Sequence, residues 1–285
     1  MGYPFWLHYG YGRDVTESNS YASPPLVLAV IEIRHPTSGY LTRGEVASLK
    51  QSLVSVTPLQ KEETVTEIQM MIQPNAAPQG NPSTKTNHRF LTRDRQTSIT
   101  FGPDVIVVET TAYKSWTDLK ALAQTAIAAR QKASPVDGVE RVGIRFIDEI
   151  RVPATAADPK WDGWVAESLL PPDLSNDDLR PLQQQSVVQY GLVTPGETLT
   201  LRYGAVHGPP VLVAGPNLVR AVIPPVGPFF LLDTDAAWSP AAGQSVPELE
   251  SEFVLEVADR LHDPVSRLFE ELITEKLRDE VLNLD

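Results

Sequence analysis

The strongest candidate for enzymatic chemistry is a pair of carboxylates at the end of an apolar strand. Asp233 and Asp235 close the segment FFLLDTD, where the alternation of a β-strand puts both side chains on one face. Carboxylate oxygens are the ligands that Mg²⁺ and Mn²⁺ prefer, so the spacing is consistent with a metal-dependent enzyme. The alternative is structural, because acids at a strand terminus also cap turns or pair with arginine. Both interpretations stay open.

Other signatures of catalysis are missing from the sequence. The chain has no cysteine, which excludes disulfides, thiolate–zinc sites, iron–sulfur clusters and thiol catalysis. It contains no glycine-rich phosphate-binding motif, no His-Glu-x-x-His and no Gly-x-Ser-x-Gly. Its five histidines are scattered along the chain. We therefore expect a protein that is not an enzyme and that holds no cofactor.

One segment of the N-terminal half is locally basic. Lys85, Arg89, Arg93 and Arg95 follow one another closely, with Asp94 as the only acid between them. Such a cluster can bind an anion or the phosphates of a nucleic acid. It can also form the solvated rim of a hairpin, because runs of charge commonly face water. The sequence alone does not decide between these two interpretations.

Charged residues also interrupt two strongly apolar segments. Glu32 and Arg34 lie in LVLAVIEIR, and Arg145 and Asp148 lie in ERVGIRFIDEI. On neighbouring strands these four side chains would form a polar network that stabilises the sheet or specifies its register. The alternative is a polar pocket on an exposed face, in which arginine binds an anionic ligand.

The first 22 residues are predicted to form an aromatic arm. Trp6, Tyr9 and Tyr11 lie in a segment with little helix or strand signal. Exposed aromatic side chains commonly bind a partner or pack back on their own domain. We expect this arm to dock on its own domain, with exchange between the copies of a homo-oligomer as the alternative.

Hydrophobic periodicity predicts an α+β fold made of two sheet-plus-helix units with mainly antiparallel strands. In the first half the pattern predicts the order β-α-β-β-β-α-β, with helices that begin after Thr42 and Ser115. In the second half the pattern predicts strands followed by a C-terminal pair of helices. We expect the break between these two helices at Pro264.

The charge differs sharply between the two predicted domains. We place their boundary in a proline-rich stretch, which gives an N-terminal domain (23–155) and an acidic C-terminal domain (156–285). The net charge of the chain is −12, and the second domain holds 21 of its 36 acidic residues. A domain with this excess of negative charge is a poor candidate for nucleic-acid binding, because contacts to phosphates need lysine and arginine. No segment is apolar enough to cross a membrane, and the lack of cysteine favours a cytoplasmic protein.

Three patches of the chain resemble a family of uncharacterised proteins that are sporadically distributed among bacteria and archaea. The patches are PPLVLAVIEIR, ERVGIRFIDEI, and the tail that runs from LLDTD to RLHDPVSRLFEELITEKLR. No activity is established for the family, so the resemblance implies a prokaryotic cytoplasmic protein and carries over no catalytic residue. A sporadic distribution is consistent with a defence-related role.

From these observations we predict a non-enzymatic protein-interaction module or accessory subunit. It would bind a partner protein or associate with itself, and it would not bind a membrane. Two alternatives remain: a metal-dependent enzyme that uses Asp233 and Asp235, and a protein that binds nucleic acid or an anion through the segment 85–95.

Overall fold

The structure is a computed structural model. It describes residues 21–71, 79–153, 160–172, 183–211 and 217–283, and only the backbone of residues 65–71 and 79–83. Residues 1–20 of the predicted aromatic arm, with Trp6, Tyr9 and Tyr11, lie outside these residues, as does the predicted domain boundary at 155.

The described chain contains nine strands and four helices. The strands are β1 (Leu26–Arg34), β2 (Leu59–Met71), β3 (Gln79–Leu91), β4 (Thr97–Phe101), β5 (Val105–Thr110), β6 (Arg141–Ile150), β7 (Ser186–Gly191), β8 (Glu197–Gly208) and β9 (Gly227–Trp238). The helices are α1 (Arg43–Leu53), α2 (Trp116–Ala133), α3 (Ser251–Leu272) and α4 (Glu275–Leu277), with a 3₁₀ turn at Glu167–Leu169 and a π-helical turn at Arg278–Leu282. None of the helices in these ranges is long and apolar enough to cross a membrane.

All nine strands belong to one antiparallel sheet, in the order β2-β3-β4-β5-β1-β6-β9-β8-β7. The α+β class and the antiparallel strands are confirmed, but the two separate sheet-plus-helix units are not. β6 pairs with β9 along its length, from Val142 opposite Trp238 to Ile150 opposite Phe230. A separate first sheet would leave this edge of β6 without hydrogen-bond partners, and its pairing with β9 satisfies them. The two halves of the chain therefore share one sheet.

Among the described residues, the three long helices lie on one face of the sheet. In β1, Ile31 and Ile33 are fully buried, whereas the residues that alternate with them are only half-buried. The helices α1, α2 and α3 pack on the face of Ile31 and Ile33, and the main hydrophobic core lies between them and the sheet. We call this the covered face, and we call the opposite one the open face.

The two helix starts predicted from the sequence are confirmed. The Thr42 hydroxyl accepts a hydrogen bond from the backbone N–H of Glu45, and the Glu45 carboxylate accepts one from the N–H of Thr42 at 2.6 Å. Ser115 accepts from the N–H of Asp118 at 3.1 Å and so caps α2. Each cap satisfies a donor that the first helical turn leaves without an intrahelical partner.

The predicted helix break at Pro264 is wrong, because α3 continues through this residue to Leu272. Proline removes one helical hydrogen bond. On either side of it, however, Leu261 and Val265 are buried in the core, and this packing holds the helix together. The chain leaves α3 at Ile273, and Thr274 caps α4. The C-terminal pair is therefore one long helix followed by a very short one.

The connection between β8 and β9, described at 209–211 and 217–226, contacts β6 and the turn between β3 and β4. Arg220 donates to Glu149 on β6 at 2.9 Å, and the backbone N–H of Val219 donates to the carbonyl of Arg95 at 2.8 Å. The connection therefore lies against the end of the sheet where β1 begins and β6 ends. Farther along the open face, the side chains of Arg145 and Arg202 are 44% and 42% exposed.

Candidate interaction surface on the open face of the sheet

A row of charged side chains crosses the open face on four adjacent strands. The row consists of Glu32 and Arg34 on β1, Arg141 and Arg145 on β6, Asp233 and Asp235 on β9, and Arg202 on β8. The register brings them together, because Arg145 lies opposite Asp235, and Arg202 lies opposite Asp233. Alternation then turns all of them towards the same face. We call Arg141, Arg145 and Arg202 the arginine platform.

Asp233 lies beneath two arginines of this platform. Nε and Nη2 of Arg145 donate to the two carboxylate oxygens of Asp233, each at 2.7 Å. Nη1 of Arg202, on the strand at the other side of β9, lies 3.7 Å from Oδ2. The side chain of Asp233 is 6% exposed, whereas those of Arg145 and Arg202 are 44% and 42% exposed. Two guanidinium groups therefore face outward over one buried carboxylate.

The pairing of Arg145 with Asp233 is a charge-assisted bond of the strong, bidentate kind. The hydrogen bonds to Asp233 raise the pKa of the Arg145 guanidinium above its ordinary value. The bonds also hold the planar guanidinium in one orientation. Arg145 therefore reaches the surface already ordered, which lowers the conformational entropy that a partner has to remove on binding.

Arg141 links β1 to β9 across β6. Its Nη1 donates to Glu32 at 2.7 Å, and its Nη2 donates to Asp235 at 3.3 Å. Gly143 makes room for this side chain, because a Cβ at that position would lie 2.5 Å from Nη1 of Arg141. Glu32 also accepts a hydrogen bond from Nε of Arg34 at 3.0 Å, which places Arg34 at the border of the platform.

Asp148, the fourth residue of the predicted polar network, lies apart from the other three. It is on the covered face of β6, opposite Leu232, because alternation turns the even-numbered residues of this strand towards the helices. Burial raises the pKa of Asp148 to about 8, and the charge of Asp233 acts in the same direction. Glu32, Arg34 and Arg145 therefore form their network with Asp233 and Asp235, and Asp148 does not join it.

The two candidate metal ligands lie on the same face of β9, but each contacts an arginine. Asp233 binds Arg145, and Asp235 binds Arg141. Within the described ranges, no group of three or more His, Asp or Glu side chains could hold a metal ion. A metal at Asp233 would have to displace the bidentate Arg145. The geometry therefore favours ion pairing over metal coordination at this position.

The four basic residues predicted to bind an anion are divided between a strand and a turn. Lys85 and Arg89 lie on β3, where Lys85 binds Asp104 at 2.7 Å and Arg89 binds Glu63 at 2.9 Å. Two of the four positive charges are thus offset by neighbouring carboxylates. The other two, in the turn between β3 and β4, are Arg93 and Arg95. Nucleic-acid binding by this segment stays a prediction.

Sequence analysis does not identify two members of the arginine platform. Arg141 precedes Arg145 by four residues, so the two side chains lie on the same face of the strand. Strand alternation could therefore have predicted Arg141 from the sequence. Arg202 lies on β8, and its position beside Asp233 depends on the pairing of β8 with β9. No local pattern in the sequence indicates that pairing.

No protein-family model matches the chain, and no curated protein matches it significantly. The resemblance of three patches to a sporadic prokaryotic family therefore stays a prediction.

Proposed function

We propose that the protein is a non-enzymatic interaction module, and that its arginine platform binds an acidic surface of a partner protein. The observation that carries the proposal is the burial of Asp233 beneath the exposed side chains of Arg145 and Arg202. Asp233 is hidden from a partner, so Arg145 and Arg202 present positive charge outward at this part of the open face. An acidic surface is complementary to it.

The residue types around the platform favour a protein partner over a nucleic acid. The platform is built from arginine, which is enriched in protein interfaces, whereas lysine is depleted there. Apolar side chains share the open face with it, because Leu28 and Val30 of β1 are half-buried on that face. Mixed apolar and arginine contact surface is typical of protein recognition.

The remaining parts of the proposal are the cellular setting and the kind of subunit. We infer an accessory subunit of a prokaryotic cytoplasmic system, defence-related in its gene neighbourhood. The absence of cysteine and the resemblance of three patches to the sporadic prokaryotic family support this setting.

Substitution of a single platform arginine tests the proposal. Arg202→Gln removes one outward charge, and it leaves the bidentate bond between Arg145 and Asp233 in place. Tagged protein is used to capture partners from a nuclease-treated lysate of the native host, and mass spectrometry identifies them. The affinity of the purified partner is then measured. We expect R202Q to bind it about tenfold more weakly than wild type, which corresponds to about 1.4 kcal/mol.

Arg267→Gln is the matched control. Arg267 lies on α3, is 56% exposed and, among the described residues, forms its ion pair with Asp263, one helical turn away. We expect R267Q to bind the partner as tightly as wild type does. Equal affinity of R202Q and wild type would contradict the proposal. A partner captured from an untreated lysate but not from the nuclease-treated one would also contradict it, because that contact would run through nucleic acid.

A further inference from the structure

A concave site lies at the end of the sheet, away from the arginine platform. It is a cleft of about 390 Å³ between the β8–β9 connection, the start of β1 and the end of the described chain. Its walls are mainly apolar and include Pro25, Leu26, Ile150, Val222 and Leu282. Small-molecule sites commonly have this size and combine apolar walls with a few polar groups.

The polar groups of the cleft converge on Glu149. This side chain is fully buried, and it accepts hydrogen bonds from Nε of Arg151 at 2.7 Å, Nη1 of Arg220 at 2.9 Å and the N–H of Val211 at 2.9 Å. Burial alone would raise the pKa of Glu149, but these hydrogen bonds lower it, so the group is ionised. Two guanidinium charges then meet one carboxylate, and a single positive charge is left over in the cleft.

The two arginines are held in place and are only partly accessible. The side chain of Arg220 is 17% exposed. The guanidinium of Arg151 lies over the ring of Phe229, with Cζ 5.2 Å from the ring centroid. Within the described part of the chain, Nη2 of Arg151 is buried and has no hydrogen-bond partner. The excess positive charge of the two arginines beside apolar walls is complementary to an anion with an apolar body.

We propose that this cleft binds a small monocarboxylate with an apolar chain. The carboxylate meets the guanidinium groups of Arg220 and Arg151, and the chain lies along Pro25, Leu26 and Val222, the apolar lining residues with accessible surface. One leftover positive charge matches a carboxylate better than a doubly charged phosphate. The apolar walls distinguish this ligand from a bare inorganic anion. The site is separate from the arginine platform and does not depend on the proposed function.

Isothermal titration calorimetry with octanoate tests this site. Two further ligands separate the contribution of the carboxylate from that of the apolar chain. 1-Octanol keeps the chain and lacks the charge, whereas acetate keeps the carboxylate and lacks the chain. We expect saturable binding of one octanoate per chain. The affinities for 1-octanol and for acetate should each be lower by a factor of about ten or more. Absence of saturable octanoate binding would overturn the proposal. Acetate that binds as tightly as octanoate would also overturn it, since the site would then take any small anion.

Two valines of the β8–β9 connection offer a matched pair of variants. Val222 lines the cleft and is 75% exposed, whereas Val226 is 71% exposed and does not line it. Both tolerate a charged side chain in the fold, because both already face water. We expect Val222→Glu to weaken octanoate binding about tenfold and Val226→Glu to leave it unchanged. Equal binding by the two variants would place the ligand elsewhere. R202Q is expected to bind octanoate like wild type, so this result is independent of partner binding.

Discussion

Single residues inside this fold show how burial selects a protonation state. Asp148 has its pKa raised to about 8 by burial, and His262 has its pKa lowered to about 4, mainly by burial. The ring of His262 stacks on that of Trp116, with the centroids 4.2 Å apart. Both side chains are therefore mainly neutral at pH 7. In the packed layer between the helices and the sheet, burial therefore favours the uncharged form of both side chains. An exposed aspartate would be charged at pH 7, and an exposed histidine would titrate close to that pH.

Asp148 makes the stability of the fold depend on pH. Its pKa lies near 3.8 in the unfolded chain and at about 8 in the folded one. Between these values the folded state holds a proton that the unfolded state has lost, so the free energy of unfolding falls as the pH rises. For Asp148→Asn we expect this decrease to disappear. The difference in the free energy of unfolding between wild type and D148N should change by at most about 1.4 kcal/mol per pH unit.

Urea unfolding of wild type and D148N at intervals from pH 4 to pH 8 measures this effect. Asp137→Asn is the control, because Asp137 is exposed in the segment between α2 and β6, and we expect its profile to run parallel to that of wild type. Parallel profiles of D148N and wild type would show instead that Asp148 ionises freely in the folded protein.

Among the elements, the central strands are joined by side chains as well as by backbone bonds. Arg141 on β6 bonds to Glu32 on β1 and to Asp235 on β9, and so connects three strands on the open face. Gly143 permits this arrangement by leaving space over its Cα. The charged row is therefore a property of the packed strands and not of any one of them.

Gly143→Ala is expected to displace the Arg141 side chain. The new Cβ would meet the guanidinium, the flexible end of a side chain, so the fold should persist. Loss of the two bonds should lower the free energy of unfolding by about 1 kcal/mol. Gly39→Ala is a suitable control, since nothing lies within 4 Å of a Cβ at that position. Urea denaturation curves compare the two variants, and equal stability would show that the Arg141 bridge contributes nothing.

Elements with a local cause are predictable from this sequence, and those with a distant cause are not. β1 and the caps at Thr42 and Ser115 follow from alternation and from short-range hydrogen bonds. The continuity of α3 through Pro264 depends on core contacts made by its neighbours. The pairing of β6 with β9 joins segments that are far apart in the chain, and it brings Arg145 to Asp233. The pairing of β8 with β9 then places Arg202 beside Asp233. Most of the candidate site depends on these two pairings.

For the whole molecule, the decisive feature is that the sheet runs without interruption through both halves of the chain. The predicted division at 155 implies that residues 23–155 fold alone. The paired edge of β6 implies the reverse, because removal of β9 exposes that edge and uncovers the core beside it. We expect the fragment 23–155 to show no cooperative thermal transition by circular dichroism, whereas the full chain shows one. A cooperative transition in the fragment would support two independent domains.

The same pairing has a consequence during translation. The ribosome synthesises β6 well before β9. During this interval, the backbone N–H and C=O groups on the β9-facing edge of β6 have no strand partner. Until Trp238 has left the exit tunnel, that strand can adhere to another nascent chain. We therefore expect the newborn protein to depend on a holding chaperone, and its soluble yield to rise when elongation and refolding are slowed by growth in the cold.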